Sequence, residues 1–187
     1  MKLFLDACSI IYLIESHQQQ GQNTRLLIKQ ALQNKTQLVV SRLSFLECRV
    51  LPLKEKNDVL LERYNQFFSE PGLQIIELTA DVINMATDLR ANHSTSLRTP
   101  DALQIACALT ANADQFLTGD KKLSVIQEID IDHGRDRWRP KLALVSGVNG
   151  VQNTLWHYKA RFAGQSGRNS IFHRMSPDRL QPFQFLL

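Results

Sequence analysis

Short apolar runs alternate with amphipathic stretches along the first two-thirds of the chain. Residues 1–5, 37–41, 73–78 and 115–118 are short and nearly unbroken in apolar character. That pattern suits strands buried on both faces of a parallel sheet. Between them the apolar residues recur at helical spacing. Helices are expected over 9–17 and 24–34, with the polar run 18–22 separating them. Further helices are expected over 44–51, where Pro52 interrupts the pattern, and over 55–68, where Val59, Leu60, Tyr64, Phe67 and Phe68 share a face. Pro71-Gly72 marks a turn. Val82, Met85, Ala86 and Leu89 predict a helix over 81–91. Thr99-Pro100-Asp101 reads as a helix start, with Thr99 as cap, proline at the first helical position and an acid in the first turn. A short helix over 121–128 and an edge strand over 129–131 complete the series. Strand–helix alternation of this kind predicts an α/β three-layer sandwich with a central, mostly parallel sheet.

The regularity fades after His133, and charge changes there as well. The whole chain of 187 residues carries a formal charge of +4, but residues 134–187 hold nine basic residues against Asp136 and Asp178, leaving −3 for residues 1–133. The expected organisation is one folded domain over 1–133 and a basic, loosely ordered extension over 134–187. Within the extension, Trp156 to Phe162 mixes aromatic and basic residues. The longest apolar runs fall far short of a membrane span, and no basic leader with a small-residue cleavage site is visible, so a cytoplasmic protein is expected. Cys8, Cys48 and Cys107 form no close pair and have no histidine at ligand spacing. They read as thiols in a reducing compartment.

Candidate chemistry lies in four acids. Asp6 ends the first strand, Glu47 sits early in the helix after the second, Asp101 opens a helix, and Asp120 follows the fourth strand. Ligands of open parallel sheets gather beyond the carboxyl ends of the strands, where all four are expected. Unit charges ~4 Å apart repel by about 4 kcal/mol at an effective dielectric of 20. A hard divalent cation with oxygen ligands, Mg2+ or Mn2+, relieves that repulsion economically. Such a cation activates water for attack on a phosphodiester. Ser9 and Thr118 are candidate hydroxyls beside the acids, and Arg98, Lys121 and Lys122 are candidate contacts to a polynucleotide backbone. A phosphatase with an aspartyl nucleophile needs a second acid two residues after the first, and position 8 is cysteine. No phosphate-binding loop or dinucleotide fingerprint is present.

Four segments carry a resemblance. Leu3-Phe4-Leu5-Asp6-Ala7-Cys8-Ser9, Ser44-Phe45-Leu46-Glu47, Thr99-Pro100-Asp101-Ala102-Leu103-Gln104-Ile105-Ala106 and Phe116-Leu117-Thr118-Gly119-Asp120, in this order and spacing, resemble the motifs of the PIN domain family, in particular its VapC-like toxins. The resemblance covers about residues 1–130. It implies a Mg2+- or Mn2+-dependent endoribonuclease acting as the toxin of a toxin–antitoxin module, a homodimer, with a small antitoxin as partner. It also implies that Asp6, Glu47, Asp101 and Asp120 are the catalytic and metal-site acids, with Ser9 and Thr118 as supporting hydroxyls. The basic extension has no counterpart in these motifs. The alternative reading is a non-catalytic module of the same fold that binds RNA or protein.

Overall fold

The computed structural model describes residues 1–134 except 17 and 94–96. The chain runs β1 (Lys2–Leu5), α1 (Ala7–Glu15), α2 (Gln19–Gln33), β2 (Gln37–Ser41), α3 (Arg42–Glu55), α4 (Asp58–Phe68), β3 (Leu73–Ile76), α5 (Ala80–Asn92), α6 (Thr99–Thr110), β4 (Gln115–Leu117), a 3-10 turn (Lys121–Val125) and β5 (Asp130–Asp132). The five strands form one sheet in the order β3-β2-β1-β4-β5, and every pairing is parallel. The sheet is therefore wholly rather than mostly parallel. The expected extension over 134–187 lies outside the described residues from 135 onward. Among the described residues no helix is long and apolar enough to cross a membrane.

Side-chain alternation along the strands divides the core in two. Leu3, Leu5, Leu38, Val40 and Leu117 pack with α1, α2 and α4, together with Cys48 of α3. Phe4, Val39 and Phe116 point the other way, into α5 and α6. Across the sheet Phe4 stacks on Phe116, with ring centroids 5.2 Å apart and planes 7° from parallel. Since β1 and β4 lie side by side, this pair fixes the neighbours whose ends carry Asp6 and Asp120. The Tyr64 hydroxyl donates to Glu15 and Arg63 to the Ile14 carbonyl, which ties α4 to the end of α1.

Several boundaries differ from the sequence pattern. Helix α2 begins at Gln19, inside the polar run expected to be a linker, because glutamine tolerates a helix well. Gly21 is needed there for space: a Cβ would fall 2.1 Å from the Ser16 carbonyl oxygen. Helix α3 continues through Pro52 to Glu55 and stops at Lys56, whose φ is 54°. Pro52 is buried, so packing retains a residue that local preference would exclude. The segment after Asp120 forms a 3-10 turn ending at Val125, not a helix to 128. Arg98, not Thr99, is the N-cap of α6, and the Thr99 hydroxyl instead accepts from Arg90.

The central aromatic pair yields a stability prediction. Phe4 is fully buried, and Phe4→Ala is expected to cost about 3–5 kcal/mol through lost contacts and the cavity left behind. Urea denaturation followed by circular dichroism checks this: the midpoint falls with little change in slope.

Candidate active site

The chain runs β1 to β2 to β3 toward one edge of the sheet, then returns to place β4 and β5 on the other side of β1. The strand order thus reverses between β1 and β4. Crevices at such points, beyond the carboxyl ends of the strands, are where α/β sheets hold ligands.

Asp6 occupies that crevice and is fixed at both backbone and side chain. Its backbone N–H donates to the Leu117 carbonyl at 3.0 Å, which extends the β1–β4 pairing by one residue. Its Oδ1 accepts from the Ala7 N–H at 2.7 Å and caps α1. Its Oδ2 accepts from the Thr118 hydroxyl at 2.8 Å and from the Cys8 thiol at 3.1 Å. Thr118 Oγ1 in turn accepts the Asp120 N–H at 3.1 Å, and Cys8 Sγ accepts the Gly119 N–H at 3.0 Å. The β1 end and the loop carrying Asp120 are therefore laced together by two side chains. Asp120 also caps the 3-10 turn, accepting the Lys122 N–H at 2.9 Å.

The other two acids come from helices. Glu47 lies in the second turn of α3, where its Oε2 accepts from Gln104 Nε2 at 2.7 Å. Gln104 is almost fully buried on α6, and its Oε1 accepts from Ser41 at 2.6 Å and Ser44 at 3.1 Å. With that oxygen facing two hydroxyls, the amide presents its NH2 to Glu47. Asp101 is the third residue of α6, and its carboxylate accepts from the Arg98 backbone N–H, as in the returning half of a capping box.

Burial and mutual repulsion govern these groups. Loss of hydration raises the Asp6 carboxyl above its ordinary value; the Cys8, Thr118 and Ala7 bonds oppose this, and Asp120 adds to it. Glu47 is raised chiefly by burial, with Gln104 opposing and the charges of Asp6 and Asp101 contributing. Asp101 is raised by burial, then by Asp6 and Asp120, with Arg98 pulling the other way. The four acids thus share one electrostatic field. Among the described residues no ion pair within 4.0 Å reaches any of them; the pairs present are Arg42–Glu77 and His93–Glu128.

The four do not, however, close into a ready set of three or more donors able to hold a metal among the described residues. The donor chemistry still suits a hard cation, since every group is a carboxylate or hydroxyl oxygen apart from the Cys8 thiol. Burial holds that thiol up at about 12, so it stays protonated. Mg2+ keeps several waters and needs only one or two carboxylates directly, so spaced acids fit it. Ser9 is committed elsewhere: its buried hydroxyl donates to the Leu117 carbonyl at 2.8 Å. Arg98, Lys121 and Lys122 are exposed. Cys8 and Gln104 are the site residues that sequence reasoning passed over. Gln104 had a readable signal, as a polar residue on the otherwise apolar stripe of Ala102, Ile105, Ala106 and Leu109.

The profile of the PIN domain matches residues 3–129. The chain belongs to the PIN domain family. Solved structures of the same fold include VapBC2 from Rickettsia felis bound to a DNA fragment from its promoter, with 19% identity, a TM-score of 0.60, and 71% of this chain aligned to 98% of that one. A toxin–antitoxin complex from Klebsiella pneumoniae aligns with 21% identity and a TM-score of 0.51, over 67% of this chain and 92% of that one. VapC20 from Mycobacterium tuberculosis, a toxin that cleaves the sarcin–ricin loop, aligns with 14% identity and a TM-score of 0.54, over 66% and 93%. Comparison with curated protein sequences gives no match.

The raised carboxyls of this PIN domain make stability depend on pH. A carboxyl that holds its proton more tightly in the folded than in the unfolded chain stabilises the fold at low pH, and that stability is lost as pH rises through the folded value. At neutral pH without divalent metal, Asp6→Asn removes the cost of a desolvated, repelled charge and keeps an oxygen for the Ala7 N–H, but gives up the oxygen that accepts from Thr118 and Cys8. Thermal melts of wild type and variant in chelator are therefore compared across pH: the Tm of Asp6→Asn relative to wild type is expected to rise from acid to neutral pH, by about 2–4 °C for each kcal/mol of charge cost removed. A difference that does not change with pH contradicts the electrostatic account.

Proposed function

We propose that this PIN domain is a metal-dependent endoribonuclease, the toxin of a toxin–antitoxin module. The observation that supports the reading best is the convergence of Asp6, Glu47, Asp101 and Asp120 from separate elements on the β1–β4 crevice, in one field and without ion-pair partners among the described residues. The four acids would hold Mg2+ or Mn2+, which when bound supplies charge neutralisation at the phosphate and acidifies a water.

The chain's own groups do the rest. Thr118 and Cys8 hold the Asp6 carboxylate in a fixed orientation through Oδ2. Gln104 occupies Glu47 Oε2, which leaves Oε1 as the atom that takes a proton from the attacking water. The raised pKa of Glu47 suits a group that accepts a proton and releases it again. Water oxygen bonds to phosphorus, the bond from phosphorus to one ribose oxygen breaks, and that oxygen leaves with a proton. Arg98, Lys121 and Lys122 flank the crevice as backbone contacts for RNA. A cytoplasmic homodimer with a small antitoxin is part of the same proposal. It draws on the toxin–antitoxin complex among the structural relatives.

The non-catalytic alternative draws on one observation, the absence of a three-donor metal set among the described residues. Incubating the protein with a structured RNA and Mn2+ separates the two. Cleavage that stops on addition of chelator and falls at least about a hundredfold in Asp101→Asn supports the nuclease. RNA binding without metal-dependent cleavage supports the binding module.

A further inference from the structure

A second feature borders the same crevice. A cavity of about 430 Å3 opens between α1, the start of α2 and the loop after β4. That volume falls in the range of small-molecule sites. Ser9 and Thr118 belong to its wall, and the Thr118 hydroxyl lies 2.8 Å from Asp6 Oδ2. Whatever fills the cavity therefore lies beside the proposed reaction centre.

The lining is chemically unlike that centre. None of its residues is acidic, although four acids crowd the adjoining edge; Lys121 and His133 are its potential cations. A cationic side chain from a partner would find no carboxylate here. The walls instead offer neutral donors and acceptors from Gln20 and Asn23 of α2, with the phenol of Tyr12. Tyr12 is fixed by a close approach: a Cβ on Gly119 would fall 2.5 Å from its ring carbon Cε2. Only glycine at 119 leaves the ring that position. A ring held in place, amides that can match the edge of a base, and an exposed lysine at the rim together describe a seat for a nucleotide.

We infer that this cavity binds one unpaired ribonucleotide of the RNA next to the scissile phosphate, with its base on Tyr12 and its phosphate at Lys121. The inference rests on the RNA-cleaving reading and adds to it a preference for the nucleotide beside the cut.

Binding tests it without relying on cleavage. Short fluorescein-labelled homopolymeric RNAs of each base are titrated with the metal-free full-length protein in chelator, and Kd is read from anisotropy. One base is expected to bind more tightly than the others. Tyr12→Ala weakens that binding about tenfold and flattens the preference, as loss of one stacked base does. Tyr12→Phe retains it. Gly119→Ala, which displaces the ring, behaves like Tyr12→Ala, and circular dichroism confirms that each variant is folded. Equal affinity for all four polymers, or a preference unchanged in Tyr12→Ala, overturns the inference. Preferential binding by a wild-type protein that fails to cleave with Mn2+ removes the nuclease reading and leaves the nucleotide seat standing.

Discussion

Repulsion among carboxylates at the β1–β4 crevice is the constraint on which the rest of the molecule depends. A folded chain does not hold several acids in one field without something to resist it. Here resistance comes from the sheet. The Asp6 amide is bonded to the Leu117 carbonyl, the Asp6 carboxylate to Thr118 and Cys8, and the loop behind it to both. Beneath them the Phe4–Phe116 stack and two packed cores hold β1 against β4. The fold thus spends part of its stability on keeping a negative pocket open.

The two sides of that pocket are organised differently. On the strand side, hydrogen bonds link Asp6 to the Asp120 N–H through the Thr118 hydroxyl and to the Gly119 N–H through the Cys8 thiol. On the helix side, a buried amide links α3 to α6 and holds Glu47 by one oxygen. Buried polar networks of this kind are stable only when each member is satisfied, and Gln104 has partners for both its oxygen and its nitrogen. The result is a site whose acids are oriented before any ligand arrives, which is the arrangement a preorganised catalytic centre needs.

Much of the fold was legible because the signals were local. Unbroken apolar runs at Leu3-Phe4-Leu5 and Leu38-Val39-Val40 announced buried strands, and three of the four acids stood at strand ends or helix starts, with Glu47 early in the helix after the second strand. Several misreadings trace to tertiary contacts overriding local preference. Pro52 stays in its helix because it is buried, and Gly21 lies in α2 because the Ser16 carbonyl needs the space. Thr99 is not the cap because Arg90 claims its hydroxyl. Cys8 gave no sign of its role, since the partners through which it joins Asp6 to the loop after β4, Thr118 and Gly119, are more than a hundred residues distant in the chain.

The electrostatic claim at the centre of this account can be read directly from the carboxyl carbons. Labelling the aspartate and glutamate side chains with 13C and titrating them by NMR, first without metal and then with Mg2+, follows each acid by itself. Asp6, Glu47 and Asp101 are expected to titrate above the ordinary carboxylate range in metal-free buffer and to move down together when Mg2+ is added. Ordinary values in the absence of metal, or a titration that Mg2+ leaves unmoved, would contradict it.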